Sequence, residues 1–191
     1  MQCLEWKSLD AAAKRLALAR PAQSQGSHLR VRVGQIIEQV KRSGDSALRE
    51  LTREIDGVEL KSLQVTKAEF EKAEKLVSDE QKVAMERAIA NVRKFHEAQL
   101  PSAIRMETAP GVLCEQLIRP LGSVGLYVPA GTAPLPSAVI MLAIPASVAG
   151  CARRVIFTPP NSKGKANAAV LVAARMCGVE DVYKVGGAQR S

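Results

Sequence analysis

Apolar residues recur every three or four positions through the first hundred residues, after which the pattern changes to short β-branched runs alternating with helical stretches. Residues 9–19 read as a helix with Leu9, Ala13 and Leu16 on one face, Ser8 as its cap and Pro21 as its stop. Ser27 is the candidate cap of a second helix, in which Val33, Ile36, Ile37 and Val40 share a face and Gly44 ends the run as a left-handed residue. Asp45 then caps a third helix carrying Leu48, Leu51 and Ile55, closed by Asp56-Gly57, and residues 58–65 read as extended. Thr66-x-x-Glu69 and Ser78-x-x-Gln81 are capping boxes, in which side chain and backbone satisfy each other's free amides. The second opens a long helix to about Phe95, with a stripe of Val83, Ala84, Ala88, Ile89, Val92 and Phe95, stopped by Pro101.

Beyond residue 100, residues 104–108 and 112–119 flank Ala109-Pro110-Gly111 and predict two strands joined by a tight turn. Residues 124–128 predict a buried strand running into a Pro/Gly loop that ends at Pro136. A helix over 137–149 follows, with a kink or break expected at Pro145 and an end at Gly150. Residues 154–158 form the next strand, 159–165 a polar loop, 166–177 a helix closed by Gly178, and 181–185 a third strand ending in Gly186-Gly187-Ala188-Gln189. The expectation is an α/β chain, with a helical region over 1–100 followed by an incomplete Rossmann-like βαβαβ parallel sheet over 101–191. A third strand ending in Gly-Gly calls for a covering helix, yet only Arg190 and Ser191 follow. Either a partner covers that sheet face or the chain is part of a longer one.

Charge supports the division: the first hundred residues hold 18 basic and 15 acidic side chains, and the remainder 9 and 4. The net charge of +8 is scattered among acidic residues, and aromatics make up only 3%, so a nucleic-acid partner is not expected. No apolar run is long enough to span a bilayer, and the N-terminal residues lack a signal-peptide pattern, so the expected setting is cytoplasmic. Cys3, Cys114, Cys151 and Cys177 form no metal-binding pair and read as buried free thiols, and His28 and His96 as surface histidines.

The chemistry-bearing residues gather at one edge of the predicted sheet. Tyr127, the loop of Pro129 to Thr132, Thr158, and Gly186 to Gln189 all lie at carboxyl ends of strands, where open α/β sheets bind ligands. Glycines admit close backbone approach, a tyrosine ring stacks or hydrogen-bonds, and a glutamine amide both donates and accepts. Gly131, Gly186 and Gly187 are equally compatible with plain turns, since no GxGxxG or P-loop pattern is present. Lys163 and Lys165 beside Gly164 read as solvated loop lysines. No catalytic set or metal cluster can be assembled from these residues.

Several segments together resemble histidinol dehydrogenase: Arg119-Pro120, Val124-Gly125-Leu126-Tyr127-Val128-Pro129, Gly131-Thr132-Ala133-Pro134-Leu135, Met141-Leu142-Ala143-Ile144-Pro145-Ala146, Ala149-Gly150-Cys151, Cys177-Gly178-Val179 and Val185-Gly186-Gly187-Ala188-Gln189. The helical part agrees at Gly44-Asp45-x-Ala47-Leu48. The resemblance implies a zinc-containing homodimer that oxidises L-histidinol through the aldehyde to L-histidine, with two hydride transfers to NAD. Tyr127 and Gln189 match the family's NAD contacts, with Pro129, Gly131, Gly186 and Gly187 beside them, and the two contacts are expected to face each other across neighbouring strand ends. Ala130 stands where the family usually has glycine. The family's zinc ligands and catalytic Glu-His pair have no counterpart here, so this chain alone is expected to be inactive. Two alternatives are a non-catalytic NAD-binding or dimerisation module that needs a separate C-terminal partner, and a free-standing nucleotide binder.

Overall fold

The computed structural model describes residues 4–19, 26–130 and 134–187. A 3-10 turn, Trp6–Ser8, precedes α1 (Ala11–Leu18) and α2 (Gly26–Leu51), whose end passes into a π-helical turn, Thr52–Asp56. Helices α3 (Lys67–Leu76) and α4 (Asp79–Glu97) follow, then the hairpin strands β1 (Ile104–Ala109) and β2 (Val112–Gln116). The remaining order is β3 (Ser123–Tyr127), α5 (Pro136–Val148), β4 (Arg153–Thr158), α6 (Ala168–Met176) and β5 (Val182–Lys184).

Several helix ends differ in detail from the sequence reading. The cap of α1 is Asp10, whose carboxylate accepts from the Ala13 amide at 2.7 Å, while the Ser8 hydroxyl donates to the Glu5 carbonyl in the preceding turn. Of the face read as packing, Leu9 and Ala13 are half-buried, while Leu16 is 79% exposed. Pro21 lies outside the described residues, as does the Ser27 side chain, and α2 already begins at Gly26. Gly44 (φ 54°, ψ −133°) has a positive φ and leaves the helical geometry, so α2 is two helical runs meeting at a kink there, at the boundary read between the second and third helices. Its last turn widens into the π form, where the Thr52 hydroxyl donates to the Leu48 carbonyl at 2.8 Å, and left-handed Gly57 (φ 68°) stops it.

Both capping boxes form with reciprocal bonds at Thr66/Glu69 and Ser78/Gln81. The buried stripe of α4, however, is Met85 with Ala88, Ile89 and Val92, while Val83 and Phe95 are both 63% exposed. The predicted stripe and the observed one share their middle, but the helix is rotated so that Met85 enters the core.

The three-stranded sheet has the order β3-β4-β5, all parallel, in the register Tyr127↔Phe157 and Phe157↔Tyr183. The segment before α3 closes its outer edge: Val65 donates to the Val182 carbonyl at 2.9 Å and Lys184 to the Leu63 carbonyl at 2.7 Å. A covered edge offers no unpaired amides to another strand. Leu126, Val128, Ile156 and Val182 project into one core with Val139, Ile140 and Ile144 of α5 and Val170 and Val172 of α6. Behind them a second helix layer packs α4 on α5 and α3 on α6, adding Phe70, Ala73 and Met85 to the same core. Arg175 of α6 locks this layer, donating to Glu74 at 2.8 Å and lying over the Phe70 ring at 4.9 Å. Helix α5 runs through Pro145 to Val148 and ends at left-handed Gly150 (φ 81°), with the Cys151 amide donating back to Ala146.

One polar knot lies in this interior. Lys184 is 5% exposed, and its ammonium donates to both Glu69 carboxylate oxygens, at 3.3 and 3.4 Å. Burial pushes the Glu69 carboxyl up, but the Thr66 amide and the Lys184 and Lys165 ammoniums outweigh it and hold the group below its ordinary value of 4.5. A carboxyl lowered on folding stabilises the folded chain above its unfolded value, and that contribution fades as pH falls through the folded value. Denaturant melts from pH 7 downward should lose a Glu69-dependent part of stability below about 4.5. Glu69→Gln, which strips Lys184 of its counter-charge, should cost about 3 kcal/mol at pH 7 and flatten that acid limb. Melts of the variant that match the wild type would contradict the knot. In the apolar core, Ile144→Ala should cost about 3 kcal/mol by the same measurement.

Candidate functional site

The carboxyl edge of the sheet is built from three strand ends whose side chains alternate between two faces. Leu126, Val128 and Ile156 point into the helix-covered core, which leaves Gly125, Tyr127 and Phe157 on the opposite face. There the Phe157 and Tyr183 rings stack with centroids 5.9 Å apart, and a Cβ at Gly125 would meet the Phe157 ring at 3.2 Å. A smaller cluster of Val58, Leu60 and Leu63 with Tyr183 and Val185 covers the β5 side of this face. Toward β3 the face stays open, and a groove of about 850 Å³ runs between it and α2, lined among others by Val33, Ile37, Tyr127 and Gly187.

At the mouth of the groove, Gly187 donates its amide to the Tyr127 hydroxyl at 3.1 Å. A Cβ at Gly187 would lie 2.7 Å from the Tyr127 ring carbon Cζ, and one at Gly186 would lie 2.8 Å from Asp56 Oδ2. Close approach to an aromatic ring therefore requires the glycine at 187, whereas at 186 the near atom is the end of the Asp56 side chain, which can turn aside. Tyr127 is 40% exposed, so its hydroxyl accepts from Gly187 while its ring edge remains open to the groove. Pro129 is exposed beside it.

Not every predicted edge residue reaches this place. Gly131 and Gln189 lie outside the described residues, as do Thr132 and Ala188. Thr158 is fully buried, pointing into the core and not toward the edge, because it shares the face of Ile156. Strands β3 and β5 are not neighbours, since β4 lies between them. The loop after β5 meets Tyr127 only by crossing the end of β4.

Other candidate groups stay apart from the edge. His28 is exposed, and His96 is half-buried edge-to-face against Phe95. Cys114 is exposed on the hairpin, against the expectation of a buried thiol, while Cys151 and Cys177 are buried. Burial pushes the Cys177 thiol up to about 11, so it holds its proton at neutral pH and is no nucleophile. Lys165, read as a solvated loop lysine, pairs with Glu69 at 3.6 Å. Among the described residues no group of three or more His, Cys, Asp or Glu side chains is placed to hold a metal ion. No helix among them is long and apolar enough to cross a membrane.

A parallel sheet with glycines and a tyrosine at its carboxyl edge defines an α/β protein of the Rossmann-like type. The model of the histidinol dehydrogenase family matches residues 18–190, and the chain belongs to that family. It is 49% identical over 189 residues to histidinol dehydrogenase of Xylella fastidiosa (strain 9a5c), covering 99% of this chain and 44% of that protein. The histidinol dehydrogenase of Xanthomonas axonopodis pv. citri (strain 306) is 50% identical with the same coverage. The crystal structure of histidinol dehydrogenase from Elizabethkingia anophelis superposes with a TM-score of 0.81 at 37% identity, over 90% of this chain and 39% of that one. The chain thus spans less than half the length of the curated relatives it matches.

Substituting the closer of the two glycines tests the geometry. Gly187→Ala must displace the Tyr127 ring and should lower stability by about 1–3 kcal/mol in a denaturant melt. A melt identical to the wild type would contradict the close approach.

Proposed function

We propose that this chain forms one wall of the NAD site of an L-histidinol-oxidising enzyme, with Tyr127 as the principal contact and Gly186, Gly187 and Pro129 beside it. The observation that carries the reading is the Gly187–Tyr127 bond at the mouth of the groove. It leaves an aromatic edge beside backbone that carries no side chain, a pairing that a flat ring can approach closely. Gln189 and Gly131 belong to the same proposal through the family's motifs. The residues at hand thus fit a dinucleotide.

When bound, NAD would supply the hydride acceptor, one molecule for the alcohol and a second for the aldehyde, whose hydration by water provides the acid's second oxygen. Each of the two oxidations also needs a base for the hydroxyl proton. No described side chain at the edge is a histidine, glutamate or free thiol placed for that task, and the described residues do not fit a zinc site. In this proposal the base and the zinc belong to other parts of the enzyme, which works as a cytoplasmic homodimer, and the present chain does not turn over alone.

A second reading, a non-catalytic module completed by a separate polypeptide, draws support from the β1–β2 hairpin. Arg105 and Glu115 pair on one of its faces at 3.1 Å, while Ile104 and Met106 lie exposed on the other. A two-stranded sheet with a bare apolar face is marginal without cover.

Calorimetric titration of the chain with NAD should show binding that Tyr127→Ala weakens at least about tenfold, the scale of one lost aromatic contact and hydrogen bond. Equal affinity of wild type and variant would remove Tyr127 from the site. NADH formation from histidinol should be absent for the chain with zinc, and should appear once the family's C-terminal portion is added. Turnover by the chain alone would overturn the division of labour.

A further inference from the structure

We propose that Glu69, far along the chain from the sheet edge, is a positioning residue for the loop after β5, whose Gly187 meets Tyr127. The inference rests on the NAD-wall reading for its functional meaning, and on geometry for everything else. Glu69 occupies the third position of α3, and in its capping box Oε2 accepts from the Thr66 amide at 3.0 Å and from the Thr66 hydroxyl at 3.2 Å. A helix cap on a protein surface needs no more than this. Here the same carboxylate also takes both contacts from the buried Lys184 ammonium and reaches Lys165 at 3.6 Å.

Those two lysines belong to two of the three segments at the carboxyl edge. Lys184 is the last residue of β5, immediately before Val185-Gly186-Gly187. Lys165 closes the loop between β4 and α6, where the Asn161 side chain accepts from the amides of Lys163 and Lys165. The carboxylate therefore ties α3 to the end of β5 from beneath the edge, while the exposed Lys165 pair adds little. The tie to β5 is stiff because Lys184 is almost wholly enclosed, and an ammonium without its partner in such a place must move outward toward water. Outward movement of Lys184 shifts the strand end on which Gly187 depends for its bond to the Tyr127 hydroxyl three residues later.

Amide hydrogen exchange separates positioning from general stability. The Gly187 amide, which donates to Tyr127, reports on the edge, and the Ile156 amide, which donates to Asp181 at 2.9 Å, reports on the sheet core. Two variants of the purified chain are compared with wild type at a temperature where melting shows all three fully folded. Glu69→Gln removes the carboxylate's charge; Lys184→Met removes the ammonium and leaves the Thr66–Glu69 capping box in place, a second way to break the same contact. Each folded variant should exchange Gly187 on the order of tenfold faster relative to Ile156, the first because the ammonium moves outward and the second because the end of β5 loses its bond to α3, the scale of one lost charge-assisted hydrogen bond. The affinity for NAD should fall in the same variants. Unchanged relative exchange at Gly187 in the folded variants would overturn the proposal, as would an increase at Gly187 and Ile156 in equal proportion. Faster exchange at Gly187 in a chain whose wild type does not bind NAD would uphold the positioning and refute the NAD wall.

Discussion

A parallel sheet must be covered on both faces, and this chain covers its two faces unequally. On one side lie two helix layers, α5 and α6 against the strands with α4 and α3 behind, enclosing Ile156, Val128 and Val182 without solvent contact. On the other, a short extended segment and part of α2 cover only the β5 side. The full layer fixes the strands, and the partial one leaves Gly125, Tyr127 and Phe157 facing a groove. Open α/β folds hold ligands in the crevice outside the carboxyl ends of their strands, where Tyr127 and Gly187 meet at the mouth of this groove.

The element order was legible in the sequence because the signals were local. Each capping box needs only its own four residues, and glycine at 57, 150 and 178 marks a left-handed helix end through its missing Cβ. The parallel strands were legible for a similar reason, since β-branched runs between helical patterns leave few alternatives. What failed depended on partners distant in sequence. Whether α4 turns Met85 or Val83 inward is decided by where α5 lies against it, and both rotations satisfy the same period. Ser8 and Asp10 are both capable caps, and the preceding 3-10 turn decides in favour of Asp10.

The candidate site was readable by type more than by geometry. Tyr127 and the glycine pair stood out at strand ends, but their contact crosses β4 and follows from strand order alone. Thr158 reads as an edge residue until the pleat assigns it to the core face of Ile156. The Glu69–Lys184 pair has no signature in the sequence, being 115 residues apart, and each member has an ordinary explanation in its own neighbourhood. The one available signal was a lysine closing an otherwise apolar strand.

The proposed seat of the dinucleotide is the open face beside Tyr127, and a nuclear magnetic resonance titration of the labelled chain with NAD, following backbone amides and aromatic rings, probes it directly. Shift changes should concentrate at Tyr127, Phe157, Gly186 and Gly187, with α3 and α4 silent on their outer faces. Changes confined to those helices, or a saturating NAD concentration that leaves Gly187 and the Tyr127 ring unmoved, would contradict it.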